Sequence, residues 1–157
     1  MLLALTLVFQ SLRFYIPVTP FASTILIGSL VNSCLLISTI TTGLGSAVLI
    51  SVVAPLVAYF QQLLPIPVFV LPVACGNIIY VLVFQALKKR HGLAVVAAAG
   101  AKTGVLYFSF VFLAAFFALP GKIIAPVLFI MSWPQFITGL AGGIIGWFVL
   151  RRLPNDF

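Results

Sequence analysis

Residues 14–87 contain no Asp, Glu, Lys or Arg, and this uncharged stretch ends at the cluster Lys88-Lys89-Arg90-His91. Charged residues cover the surface of soluble domains, so a soluble fold would not leave so long a stretch without them. The basic cluster cannot enter hydrocarbon, where each charge costs about 2.5 to 3.5 kcal/mol even on insertion scales. The sequence therefore predicts membrane-embedded helices on either side of a water-exposed loop.

The overall composition indicates the same class of protein. Of 157 residues, 64% are hydrophobic and 6% are charged, and the mean hydropathy is +1.34. One bilayer-spanning helix needs about 20 apolar residues, so the chain has room for about six. Breaks rich in proline and glycine divide it accordingly. We predict an all-α membrane protein, a single bundle of six transmembrane helices at about residues 1–16, 23–40, 46–60, 68–87, 93–119 and 124–150.

The positive charges predict the orientation of this bundle. Short loops rich in Lys and Arg stay on the cytoplasmic side, which places Lys88-Lys89-Arg90 inside the cell. Counting helices from that loop puts Arg151-Arg152 inside as well and leaves Arg13 and Lys122 outside. We therefore expect a multi-pass protein of the cell membrane with both termini in the cytoplasm.

Two other interpretations of the sequence are less well supported. The net charge of +7 could indicate nucleic-acid binding, but the cations are not interleaved with stacking aromatics on one soluble face. The short first apolar run could be a signal peptide, but a basic start and a small-x-small cleavage site before Pro17 are missing. We expect no nucleic-acid partner, and a first helix that begins partway through the bilayer or is preceded by further residues.

Few residues could carry out catalysis. The sequence has one acid, Asp156, no Glu and one histidine, His91. No carboxylate pair, metal cluster or Ser/His/Asp set can be assembled from them. Cys34 and Cys75 fall in apolar runs, where cysteine usually acts as a small hydrophobic residue. We expect a protein that is not an enzyme and that holds no metal and no cofactor.

A lysine within the predicted fifth helix is the strongest indication of a binding site. Lys102 lies nine residues, about 13 Å, beyond the predicted helix start and therefore near mid-bilayer. A charge at that depth is expensive and usually marks a ligand or ion pathway. Alternatively, its side chain could reach the interface along its flexible stem, or bond to backbone carbonyls near Gly100 and Gly104.

Three amides lie at comparable depth in other predicted helices: Asn32, Asn77 and Gln135. Tyr80 follows Asn77 by about one helical turn on the same face. We predict that these residues and Lys102 line one substrate cavity, although the amides could instead form interhelical hydrogen bonds worth about 0.6 kcal/mol each. A cation and amides without a carboxylate suit a neutral or anionic organic ligand.

Small residues at helical spacing predict close helix packing. The last predicted helix carries two interleaved G-x-x-x-G pairs, Gly139 with Gly143 and Gly142 with Gly146. In lipid, packing of bare backbone surfaces drives helix association. We therefore expect neighbouring helices to approach this one closely.

Several short patterns are spread over nearly the whole chain: Gly28-Ser29-Leu30-Val31-Asn32, Gly43-Leu44-Gly45, Ala54-Pro55, Gly76-Asn77 after a proline-rich loop, Lys102 in helix five and Gln135 in helix six. Together they resemble the S components of energy-coupling factor (ECF) transporters, small membrane subunits that bind a vitamin or other micronutrient. One position departs from the family, because Ala4 is followed four residues later by Val8, where such proteins often carry a second alanine.

The resemblance implies a partner module of one transmembrane coupling subunit and two ATPase subunits, with ATP hydrolysed in the partners. It also implies an outward-facing site capped by the loop at residues 17–22, and toppling of the whole subunit to release substrate inside. We therefore expect a substrate-binding subunit of a nutrient uptake transporter. The alternatives are a free-standing channel or secondary carrier, and a structural subunit that binds no ligand.

Overall fold

The structure is a computed structural model that describes residues 1–15 and 19–152. It confirms the predicted class, an all-α membrane protein, and contains no strand within the described residues. Short 3-10 turns extend the first helix at Leu12–Phe14 and precede the fourth at Pro67–Phe69. The α-helices are α1 (Leu2–Ser11), α2 (Pro20–Thr41), α3 (Leu44–Phe60), α4 (Val70–Leu87), α5 (His91–Phe116), α6 (Gly121–Ile130) and α7 (Trp133–Leu150).

Four helical segments are long and apolar enough to cross a bilayer. They are Phe21–Thr41, Pro67–Leu87, His91–Phe116 and Gly121–Leu150. Two further apolar segments are shorter, Leu2–Phe14 and Leu44–Phe60. These six segments correspond in order to the six predicted from the sequence.

The last predicted helix, 124–150, differs from the structure because it is interrupted. α6 ends at Ile130 and α7 begins at Trp133. Pro134 lies in the first turn of α7. Proline has no N–H to donate to the carbonyl four residues earlier, here that of Ile130, so it favours a new helix start over a continued one.

Other helix ends shift by a few residues for local reasons. α2 begins before the predicted residue 23, because Pro20 suits the first turn and the Thr19 side chain accepts a 3.3 Å hydrogen bond from the N–H of Ala22. α5 ends at Phe116, before the predicted residue 119, and Ala118 just beyond it has a positive φ of 45°. The predicted end of helix one, Ile16, lies outside the described residues.

The glycines of α7 allow it to pack closely on two neighbours. A Cβ on Gly142 would lie 2.5 Å from the Cβ of Asn32 on α2, and one on Gly139 would lie 2.9 Å from the Cβ of Ala99 on α5. No side chain fits at such distances. The interleaved pairs therefore face different helices, and α7 lies between α2 and α5.

The two ends of the bundle have different character. His91 at the start of α5 and Trp147 near the end of α7 line the same groove, so Lys88-Lys89-Arg90 and Arg151 lie at one end, called here the basic end. The connections between α1 and α2 and between α3 and α4 lie at the opposite end.

Candidate functional site

A cavity of about 170 Å³ lies in the half of the bundle away from the basic end. It is bordered by the end of α1, the first half of α2, the second half of α3, the first half of α4, the middle of α5 and the break between α6 and α7. The lining consists of Gln10, Arg13, Thr24, Ile27, Gly28, Val31, Asn32, Ala54, Pro55, Ala58, Leu63, Leu64, Val73, Asn77, Lys102, Ile130, Met131 and Gln135.

Four of the five predicted site residues line this cavity. Asn32, Asn77, Lys102 and Gln135 come from α2, α4, α5 and α7 and meet at one level of the bundle. Tyr80 is fully buried and is not part of the lining. The depth of Asn32, Asn77, Lys102 and Gln135, counted along each helix in the sequence, therefore predicted that they lie together. Tyr80 differs because it lies on the face of α4 that packs against α7.

Lys102 is held inside the bundle. Its side chain is 4% exposed, and its Nζ donates a 2.6 Å hydrogen bond to Oδ1 of Asn32. The same Nζ lies 5.4 Å from the ring centroid of Tyr80, a favourable position for a cation over an aromatic face. The side chain therefore neither extends to the interface nor bonds to the backbone near Gly100 and Gly104.

Asn32 links this lysine to α7. Its Nδ2 donates to Oγ1 of Thr138 at 3.3 Å, and the Thr138 hydroxyl donates to the carbonyl of Gln135 at 3.0 Å. Gly142 leaves the space that the Asn32 side chain occupies. A continuous hydrogen-bonded chain thus runs from α5 through α2 to α7.

The ring of Tyr80 lies beside the ammonium group of Lys102. Its hydroxyl donates a 2.7 Å hydrogen bond to the carbonyl of Gly139, which fixes the ring between α4 and α7. With the ring held there, Lys102 is bordered by an aromatic face on one side and by the Asn32 oxygen on another. Tyr80 is therefore placed to position the lysine.

The orientation of Asn77 follows from a proline on the adjacent helix. Pro55 lies inside α3 and has no N–H, so the carbonyl of Ser51 lacks its usual helical donor. Nδ2 of Asn77 donates to that carbonyl at 3.4 Å. Because the nitrogen is used by α3, the Asn77 oxygen is left as an acceptor for the cavity.

Gln135 lies next to the helix break. Its Nε2 contacts Sδ of Met131 at 3.8 Å, and a thioether sulfur is a weak acceptor. Irregular backbone at membrane depth is tolerated where it borders a cavity, and Met131 and Gln135 place this break at the cavity wall. The Gln135 amide is therefore available to a stronger partner.

Sequence reasoning missed two polar residues of α1 and its extension. Gln10 donates from Nε2 to the carbonyl of Ala54 at 2.9 Å, and its Oε1 is buried with no hydrogen-bond partner. Arg13 donates from Nε to the carbonyl of Gln10 at 3.4 Å. The signal was their spacing of three residues in an otherwise apolar run, which places both on one helix face.

The lining can bind a ligand through hydrogen bonds and charge. No group of three His, Cys, Asp or Glu that could hold a metal occurs in residues 1–15 and 19–152. The predicted capping loop, 17–22, falls partly outside the described residues, as does Asp156. No family model, curated protein or solved structure matches this chain.

Proposed function

We propose that this chain is the substrate-binding membrane subunit of an ECF-type uptake transporter. It captures a small neutral or anionic organic nutrient, such as a vitamin, from outside the cell. It is a multi-pass protein of the cell membrane that delivers its ligand through a transmembrane coupling subunit and two ATPase subunits. ATP is hydrolysed in those partners, and this chain is not an enzyme.

One observation carries the proposal. Four polar side chains from four different helices line a single cavity away from the basic end. Asn32, Asn77 and Lys102 form hydrogen bonds between helices, and they also line the same cavity as Gln135. Convergence of polar side chains on one cavity at membrane depth is typical of a ligand site. If the basic end faces the cytoplasm, as the charge bias predicts, the cavity lies in the outer half of the bilayer.

The binding experiment uses the full chain purified in lipid nanodiscs. Small molecules released on denaturation are identified by mass spectrometry, and their affinities are then measured by calorimetry. We expect Lys102→Met and Asn77→Ala to weaken binding at least tenfold, about 1.4 kcal/mol. Lys122→Met removes an exposed lysine outside the cavity and is the matched control. Unchanged affinity in both cavity variants would remove the site assignment.

The partner experiment is independent of ligand identity. The tagged chain is isolated from its native membrane under mild detergent, and the associated proteins are identified. We expect two ATPase subunits and one polytopic membrane subunit. Their absence, with ligand binding intact, would limit the proposal to ligand capture.

A secondary carrier is the second candidate, and the break between α6 and α7 favours it. Many carriers bind substrate at interrupted helices that occur at corresponding positions of two repeats. If the six segments formed two repeats of three, α3 would correspond to the interrupted segment α6–α7. α3 is continuous over Leu44–Phe60 despite Pro55, so the interruption is not repeated. Uptake of the identified ligand into liposomes containing this chain alone, without ATP, would establish the carrier instead.

A further inference from the structure

We propose that the ligand of this cavity is a small carboxylic acid, bound as the anion, that also carries an N–H or O–H donor. The inference rests on the proposed function and narrows its ligand class. It derives from which hydrogen-bonding groups of the lining are already used and which remain.

The cavity carries two cationic side chains and no carboxylate from the described residues. Lys102 is almost fully buried, and its ammonium has three N–H donors, one of which is used by Asn32. Arg13 is partly buried and lines the same cavity, and its Nε donates a hydrogen bond to the Gln10 carbonyl. A buried cation is stable only when it is well paired, and residues 1–15 and 19–152 contain no Asp or Glu that could pair with it.

A ligand carboxylate would supply the missing negative charge. Two oxygens with about four lone-pair sites can accept from an ammonium and a guanidinium at once. A neutral ligand would leave protonated Lys102 without a counter-ion, and a cationic ligand would be repelled by Arg13 and by protonated Lys102. The charge of the lining therefore selects an anion.

Two acceptors of the lining need a donor. Oε1 of Gln10 has no partner and is enclosed by protein atoms, so a ligand donor reaches it only if this side chain, whose Nε2 donates to the Ala54 carbonyl, rotates toward the cavity. The Asn77 oxygen is free for the cavity because its nitrogen is held by Ser51. Buried acceptors are nearly always paired, so the ligand is expected to provide an N–H or O–H group here.

The remaining walls limit the size and the body of the ligand. The volume of about 170 Å³ is smaller than the roughly 300 to 1,000 Å³ of pockets for drug-sized molecules. Apolar side chains fill much of the lining, including Ile27, Val31, Leu64 and Val73. The part of the ligand that joins its carboxylate to its hydrogen-bond donor is therefore compact and largely apolar.

The experiment uses matched sets of probes with the full chain in nanodiscs. Each set contains an acid, its amide and its amine on one body: the 4-hydroxybenzoate set, the pyrrole-2-carboxylate set and the 3-hydroxybutyrate set. Benzoate is added as an acid without a donor. Binding is measured by calorimetry at low ionic strength, with the Lys102→Met variant to show that binding occurs in this cavity.

We expect at least one acid to bind at least tenfold more tightly than its amide and its amine. Arg13→Gln should weaken binding of the acid at least tenfold and leave the affinity for the amide unchanged. Lys122→Met should change neither affinity. Gln10→Leu should reduce the difference between 4-hydroxybenzoate and benzoate. Because the probe comparison is made on the unaltered chain, it does not depend on any variant folding.

Two results would overturn the inference in distinguishable ways. An amide or amine that binds as tightly as its acid, and loses binding in Lys102→Met, would refute the acid class while nutrient capture stands. If no probe binds and the purified protein releases no small molecule, the proposed function fails together with the inference.

Discussion

Lys102 on α5 and Asn32 on α2 are joined by a 2.6 Å hydrogen bond from the ammonium to the amide oxygen. The two partners contribute unequally to this bond. The lysine carries a buried charge that needs an acceptor, whereas the asparagine is neutral and has a second partner in Thr138. Removing one partner therefore differs from removing the other.

We expect Asn32→Leu to destabilise the protein by about 1 to 3 kcal/mol, because it leaves the buried amine of Lys102 without its hydrogen-bond acceptor. Lys102→Met should have a much smaller effect, because it removes the charge and retains an apolar stem of similar length. The double variant should resemble Lys102→Met. Denaturant unfolding of all four proteins in mixed micelles measures this cycle. A double variant as unstable as Asn32→Leu would show that the two side chains are not coupled.

The close approach of α7 to α2 predicts the effect of a single methyl group. Gly142→Ala would place a carbon 2.5 Å from the Cβ of Asn32, so one helix must shift, and we expect a loss of about 1 to 3 kcal/mol. Gly104→Ala on α5 is the matched control, because a Cβ there meets no atom within 4 Å. Glycine in a helix interior is about 1 kcal/mol less favourable than alanine, so the control should be neutral or stabilising. Thermal unfolding distinguishes the two, and equal midpoints would contradict the packing.

Pro55 predicts a coupling between α3 and α4. In Pro55→Ala the new N–H can bond to the Ser51 carbonyl, so Asn77 is no longer needed there. We expect Asn77→Ala to cost about 0.6 kcal/mol in the natural background, the usual value for an interhelical hydrogen bond in a membrane. In the Pro55→Ala background it should cost nothing. Equal losses in both backgrounds, measured by denaturant unfolding, would exclude this relationship.

The orientation can be tested with single cysteines. After Cys34 and Cys75 are replaced by alanine, a cysteine is introduced at Lys89 or at Lys122 and exposed to a maleimide that does not cross membranes. The charge bias predicts that position 122 reacts in intact cells and that position 89 reacts after permeabilisation. The reverse labelling pattern would show that the bundle has the opposite orientation, with the cavity facing the cytoplasm.

The sequence predicted the helices well because long uncharged stretches have few alternatives in a bilayer. It did not predict the interruption before α7, because residues 124–150 are uncharged throughout and Pro134 is compatible with either a kink or a new helix start. Depth along each helix could be counted, which brought Asn32, Asn77, Lys102 and Gln135 to one level.

Rotation of the helices about their axes could not be obtained in the same way. Tyr80 shares a face with Asn77 by spacing, but the packing of α4 against α7 turns its hydroxyl to the Gly139 carbonyl. Gln10 belongs to the site because α1 packs beside α3, a contact between residues 44 positions apart that no local pattern reveals.

α7 carries glycine on the two faces that contact α2 and α5. The size of the residues on those faces therefore determines how far apart α2 and α5 lie. Lys102 reaches Asn32 across that separation. Bulkier residues at positions 139 and 142 would widen it without touching any bound molecule. Exchanging the small residues at these two positions would therefore change the capacity of the site without replacing any of the polar side chains that line it.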